Sequence, residues 1–315
     1  MAKSVFDAPQ FKTEEGAFAY VEAHLWPTGP VCPHCGNCDG ARIRKMVGAT
    51  TRMGLYKCNE CRKPFTVRMG TIFESSHLAL HLWLQVIHLM CASKKGVSTR
   101  QIQRMLQCSM KTAWFLSHRI REAMKDDHIG SLGGEGETVE VDETFIGGKE
   151  KNRHKSKRAT RRLGGSWGKE TVLSLVERNG RVRSLHVASV TAAKLRPVLL
   201  AQIDAASLLC TDDAGQYRHM GRDFRHEVVN HGADEYVRGL FHTNTVEGYF
   251  SILKRGIVGV YHHVSEKHLQ RYLCEFDFRY SNREKLGVND TMRAELALKG
   301  VVGKRLTYET TRLSA

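Results

Sequence analysis

Apolar and polar residues alternate in "VEVDETFIGG", from Val139 to Gly148, so Val139 and Val141 share one face and Glu140 and Asp142 the other. A period of two is the mark of a strand with one buried side. Further strands are predicted at "TVLSLVER" and "RVRSLHVASV", joined by a turn at Asn179-Gly180, a dipeptide that favours hairpins. "ASLLCTDD" is predicted to be a buried strand ending in acids, and "HEVVNH" a short one. Elsewhere the period is helical. "LALHLWLQVIHLMCAS" begins at Leu78 and is ended by Gly96. "STRQIQRML" opens on Ser98 with Gln101 three residues later, a capping-box pattern. "SMKTAWFLSHRIREAM" has Ser109 as its cap. "TAAKLRPVLLAQI", "NTVEGYFSILKRGI" and "SEKHLQRYLCEFDFRYSNRE" complete the helices, and the tail "VVGKRLTYETTRLSA" carries no readable pattern. Hairpin strands, a crossover helix and an acid-tipped strand predict an α/β domain.

Cysteine spacing adds a second module. Five of the nine cysteines fall between residues 32 and 61. Cys32 and Cys35 form one CxxC, and Cys58 and Cys61 another. Each such turn aims two thiolates at one point, and two turns make a closed tetrahedral sulfur site, which suits a structural Zn²⁺ ribbon. A redox dithiol needs only one CxxC. His34 and Cys38 are expected to be bystanders, and Cys91, Cys108, Cys210 and Cys274 to be buried small hydrophobes.

Three short helices with a tight turn before the last resemble a helix-turn-helix. That reading presents Lys111, Thr112, His118 and Arg119 to DNA and leaves Trp114, Phe115 and Ile120 in the core. The expected organisation is a zinc ribbon at 18–70, a helical DNA-binding domain at 71–128, an α/β catalytic domain at 135–290 and a tail at 291–315. The Gly- and Asp-rich "KDDHIGSLGGEGET" acts as a linker.

Charge points to the partner. The formal net charge is +15, which favours a polyanion and above all nucleic acid. The excess is clustered: Lys149, Lys151, Arg153, Lys155, Lys157, Arg158, Arg161 and Arg162 stand against one Glu. This run is expected to form a loop that adds salt-dependent DNA affinity. No stretch reaches about 18 uninterrupted apolar residues, and the N-terminus lacks the layout of a signal peptide. The expectation is a cytoplasmic protein without a membrane partner.

The acids form a set. Asp142 lies on the first strand of the α/β domain, Asp212 and Asp213 end a later one, and Glu247 sits on a helix. Carboxylates converging at a sheet edge suit Mg²⁺ or Mn²⁺, and two such ions would serve phosphodiester displacement. Glu247 and Lys254 are two helical turns apart on one face.

Together "VEVDETFIGGKEKNRH", "CTDDAGQY" and "HTNTVEGYFSILKRGIVGVYHHVSEKHLQRYLCEFDFRYSNR", in that order after a zinc ribbon, resemble a DDE transposase. More narrowly, they are similar to the Merlin-related, ISXO2-like insertion-sequence transposases. The resemblance spans about residues 18 to 290. It implies a ribonuclease-H-like fold, two-metal catalysis with two Mg²⁺ or Mn²⁺ ions per site, and recognition of double-stranded inverted repeats and target DNA by a dimer or larger assembly. It also implies Asp142, Asp212 and Glu247 as ligands, with Lys254 and Arg255 on DNA, Asp213 and Asn244 as alternative ligands, and His242, His262 and His263 as positioning or structural groups. A non-catalytic zinc-ribbon regulator and a nuclease or resolvase of the same fold are the competing readings.

Overall fold

The computed structural model describes residues 4–125, 130–148, 154–157, 167–229 and 241–307. It divides into two compact units. One comprises Met1–Ser93, Val97–Lys125 and Asn289–Ala315, and the other Lys94–Gly96 and Asp126–Val288.

In the first unit, helices α1 (Pro9–Lys12) and α2 (Glu14–Leu25) precede a three-stranded antiparallel sheet of β1 (Ile43–Lys45), β2 (Tyr56–Cys58) and β3 (Pro64–Phe65). Helix α3 (Leu80–Ala92) is followed by α4 (Thr99–Leu106) and α5 (Met110–Ala123). Ser98 and Ser109 cap the latter two as expected, accepting from the N–H groups of Gln101 and Thr112, and Gln107 makes the turn between them in the left-handed region at φ 50°. Helix α3 ends at Ser93, before Gly96. The expected tail is instead a helix, α9 (Asp290–Lys299), which packs on α3 within this unit. Arg293 donates from Nη1 to the carbonyl of Cys91 at 2.8 Å, a fixed contact that ties the C-terminal segment to the N-terminal unit.

The second unit holds a five-stranded sheet. Its strands are β4 (Thr138–Ile146), β5 (Glu170–Glu177), β6 (Val182–Val187), β7 (Leu208–Asp212) and β8 (Arg225–Val229), in the spatial order β6-β5-β4-β7-β8. Pairing is antiparallel from β6 through β4 and parallel from β4 through β8. The β5–β6 hairpin turns at Asn179, whose φ is 56°. Helix α6 (Ala192–Gln202) lies on the face of Val139 and Val141, where Leu195 and Leu199 join Leu173, Leu175 and Leu209 in one core. Helices α7 (Asn244–Gly256) and α8 (Glu266–Ser281) cover the other face. Val246, Tyr249, Phe250 and Leu253 of α7 recur at helical spacing and bury against Ile146, Val172 and Val176. At ~1.5–3 kcal/mol per buried large apolar side chain, that stripe is worth on the order of 10 kcal/mol before entropy. This mixed sheet, flanked by helices on both faces, is the ribonuclease-H-like arrangement.

Cys91 and Cys210 are buried as expected, but Cys108 and Cys274 are only partly buried. Among the described residues no helix is long and apolar enough to cross a membrane.

Candidate active site

The alternation in β4 sorts its acids by face. The last parallel pairs joining β4 to β7 are Val139 with Leu209 and Glu140 with Cys210. Two residues further along each strand stand Asp142 and Asp212. Equal steps along adjacent parallel strands keep side chains on one face at one level. Asp212 ends β7, at the C-terminal edge where open α/β sheets place their ligands, and Asp142 stands in the middle of the longer β4, just past its pairing with β7.

Helix α7 crosses that same face and carries Glu247 in its first turn. The three carboxylates act on one another. Burial, followed by the charges of Glu143, Asp212 and Glu247, pushes the Asp142 carboxyl up to about 7, against a lowering hydrogen bond from the Glu143 N–H. That N–H lies 2.7 Å from Oδ1. Asp212 Oδ1 accepts from the Ala214 N–H at 3.2 Å, which turns the chain after the strand. Glu247 is exposed and accepts from the Thr243 hydroxyl at 3.3 Å. Of the alternative ligands, Asp213 is exposed in the turn beyond β7, and Asn244 is exposed at the first position of α7, one turn before Glu247. Lys254 and Arg255 are exposed in the last turn of α7, where the helix dipole favours cations. The Lys254 ammonium lies 5.9 Å from the Phe250 ring centroid.

Asp142, Asp212 and Glu247 offer carboxylate oxygens, the hard ligands that Mg²⁺ and Mn²⁺ select. The oxygens of Asp142, Asp212 and Glu247 do not all lie within 4.8 Å of one another. A separate group, Glu170, His186 and Glu266, does meet within that distance. There His186 Nε2 pairs with Glu170 Oε2 at 2.8 Å.

Two acids escaped the sequence reading. Glu143 faces the α6 side, where Oε1 accepts from Gln216 Nε2 and Oε2 from the Tyr217 hydroxyl, both at 2.5 Å. It thereby holds the "DDAGQY" turn against β4. Burial is the main cause of its raised pKa. The signal was an acid on an otherwise apolar face, since a buried carboxylate requires partners. Glu140, the second, is fully buried and bound to the start of α7.

In the first unit, the thiols of Cys32, Cys35, Cys58 and Cys61 gather within 4.8 Å. Cys32 and Cys61 are 3.7 Å apart, as are Cys35 and Cys58. The N–H of Cys61, with help from Asn37 and the Glu60 N–H, holds the Cys58 thiol down at about 6, so a thiolate forms readily. Cys38 stands outside the group, and His34 Nε2 lies 3.3 Å from the Pro64 carbonyl. Both are bystanders to the cluster.

The helix-turn-helix reading needs correction at two residues. Lys111 and Thr112 are exposed at the start of α5 as expected, but His118 and Arg119 are buried. The later turns of α5 are enclosed on all sides. Arg119 donates from Nη2 to the Glu74 carbonyl at 2.6 Å and lies over the rings of Trp83 and Phe115, so it is held within the unit, at the wall of a cavity that Lys111 and Thr112 also line. Ile120 is core as expected, whereas Trp114 and Phe115 are half-exposed. Of the basic run, Lys155 is exposed and begins a short turn, Lys155–Lys157. Lys149, Lys151, Arg153, Arg158, Arg161 and Arg162 lie outside the described residues.

The chain is similar to known proteins over much of its length. Residues 132–281 match the ISXO2-like transposase domain, and residues 12–64 match the transposase zinc-ribbon domain. The chain is 27% identical over 281 residues to an uncharacterized protein in transposable element ISH50 of Halobacterium salinarum, covering 85% of this chain and 91% of that one. Among solved structures, a Mos1 transposase paired-end complex with the left transposon end is similar at 13% identity and a TM-score of 0.28, over 69% of this chain and 74% of that one. A pre-cleavage Mos1 transpososome is similar at 14% identity and a TM-score of 0.24, over 67% and 75%. The sheet that carries Asp142 and Asp212 thus lies within a segment that matches an ISXO2-like transposase domain, and a segment that matches a transposase zinc ribbon precedes it.

Proposed function

We propose that this protein is a DDE transposase that binds the inverted repeats of its element, cuts the element's ends and joins them to target DNA. The observation that carries the reading is the shared level of Asp142 and Asp212 on adjacent parallel strands, with Glu247 near enough to raise the Asp142 pKa. Asp142, Asp212 and Glu247 supply the oxygen ligands for two Mg²⁺ or Mn²⁺ ions. When bound, such ions stabilise the attacking and leaving oxygens of an in-line phosphodiester displacement. Water first opens the phosphodiester at the element's end and leaves a 3′-hydroxyl. That hydroxyl then attacks a target phosphodiester, and the displaced target strand leaves with its own 3′-oxygen. No protein nucleophile is consumed. Lys254 and Arg255, about two helical turns from Glu247, bind the phosphates of the strand that enters.

The first unit contributes affinity. The four cysteines hold a structural Zn²⁺, since four thiolates leave no open position. Lys111 and Thr112 of this unit, with the basic run from Lys149 in the second unit, contact double-stranded DNA. Acting on two ends at once requires at least a dimer, and DNA as substrate places the protein in the nucleoid. The test is purified protein with DNA carrying both element ends, in Mg²⁺ or Mn²⁺. Joined products support the transposase, cut but unjoined DNA would indicate a nuclease, and binding without cutting would indicate a regulator.

A further inference from the structure

Glu140 has no exposed surface, yet it carries a carboxylate, two residues before Asp142 and on the same face of β4. Its Oε1 accepts from Arg178 Nε at 2.7 Å and from the Thr245 hydroxyl at 2.8 Å, and lies 3.2 Å from His242 Nδ1. Its Oε2 accepts from the backbone N–H groups of Thr245 at 2.8 Å and Val246 at 3.1 Å. Arg178 also donates from Nη2 to the His242 carbonyl at 2.9 Å, gripping the chain just before the helix. These contacts join residues more than a hundred positions apart in sequence to the second and third residues of α7.

The arrangement is not what helix stability alone requires. A helix start leaves N–H groups without intrahelical partners, and the residue before it ordinarily caps them. The side chain of Thr243, at the N-cap of α7, makes no such cap. Glu140 does so from the central strand. A buried carboxylate is costly unless each oxygen is satisfied, and a well-packed apolar residue often stabilises a core as well. What the carboxylate adds is position, because its two oxygens fix helix residues 245 and 246 relative to strand residue 140. Asp142 is two residues along from one side of this link, and Glu247 is one residue along from the other.

We infer that Glu140 is a positioning residue that sets Glu247 against Asp142 and so tunes the affinity of the site for its divalent ions. The inference rests on the transposase reading for its consequence and on the contacts alone for its cause. Glu140→Gln keeps the shape but turns one acceptor into a donor, which must then face either Arg178 or the helix N–H groups.

The experiment compares wild type, Glu140→Gln, Glu140→Asp and Glu177→Gln. Glu177 is a second buried acid of the same sheet, which accepts from the Gly133 N–H and Arg181 and serves as the control for general destabilisation. In Glu140→Gln, amide hydrogen exchange over residues 243–248 is expected to quicken by about tenfold or more, the loss of a hydrogen bond to a charged group. The Mn²⁺ concentration for half-maximal cleavage should rise by about as much, while zinc content and affinity for the element ends hold. Glu140→Asp should lie between the two. Glu177→Gln should lower the melting temperature without moving the Mn²⁺ requirement. Unchanged exchange at the start of α7 in Glu140→Gln would overturn the clamp. An unchanged Mn²⁺ requirement, or an equal rise in Glu177→Gln, would overturn its role in positioning. If wild type shows no metal-dependent cleavage at all, the transposase reading fails, and the exchange measurement still decides whether Glu140 holds the helix.

Discussion

Replacing Arg119 with Ala separates a buried scaffold residue from a DNA contact. The Arg119 guanidinium donates to the Glu74 carbonyl at 2.6 Å and lies 5.5 Å from the Trp83 ring and 5.4 Å from that of Phe115. A hydrogen bond from a charged donor contributes ~1.5–3 kcal/mol, and each partly desolvated cation–π contact ~0.5–1 kcal/mol. The sum is about 2.5–5 kcal/mol. Burial lowers the Arg119 pKa to about 10, and the nearby cations Arg305 and Arg68 oppose its charge, so the lower half of that range applies. A loss of ~2.5–4 kcal/mol corresponds to a fall in melting temperature of roughly 5–15 °C for a domain of this size. The assay is a thermal melt paired with DNA affinity measured across a salt series below the melt. Arg119→Ala should melt early with its salt slope unchanged. Lys111→Ala, exposed at the start of α5, should keep its melting temperature and lose about one unit of salt slope. The opposite pairing, with Arg119→Ala stable and its slope reduced, would refute the placement of Arg119 in the core.

Two other perturbations follow from the same contacts. Cys58→Ser removes one of the four gathered thiols, so zinc content should fall below one per chain by metal analysis, with loss of the ribbon's structure. Full retention of zinc would exclude the four-cysteine site. Burial pushes the Asp277 carboxyl up to about 6, against hydrogen bonds from Tyr249 and Ser184. Its folded pKa exceeds its unfolded one, so the folded state holds the extra proton and this group's contribution to stability is lost as pH rises from about 4 to 6. Melting temperatures across that window should decline less steeply in Asp277→Asn than in wild type, and equal slopes would contradict the assignment.

How much could be read in advance depended on the range of the signal. Ser98 and Ser109 were legible because caps act over three residues, the β5–β6 hairpin because Asn179-Gly180 marks its turn, β7 because a short apolar run ends in acids, and β4 because apolar and polar residues alternate along it. The face of Asp142 was legible for the same reason. Helix α9 was not, although Asn289 caps it by accepting from the Met292 N–H. Arg293 occupies a core-facing position there and hides the apolar stripe, and the partner helix α3 is some two hundred residues away in sequence. His118 and Arg119 misled because a polar residue on a helix reads as exposed until the elements that enclose it are known. Glu140 and Glu143 were undecidable alone, since their partners Thr245 and Tyr217 lie 105 and 74 positions away.

The central claim is that Asp142, Asp212 and Glu247 form one metal-dependent site for cutting and joining DNA. The most direct measurement is strand transfer by Asp142→Asn beside wild type, with DNA carrying the element's ends and Mn²⁺. The account predicts joined products from wild type, none from Asp142→Asn, and equal end binding and melting temperature for both. Joining by Asp142→Asn at the wild-type rate, or equal loss of binding and joining, would contradict it.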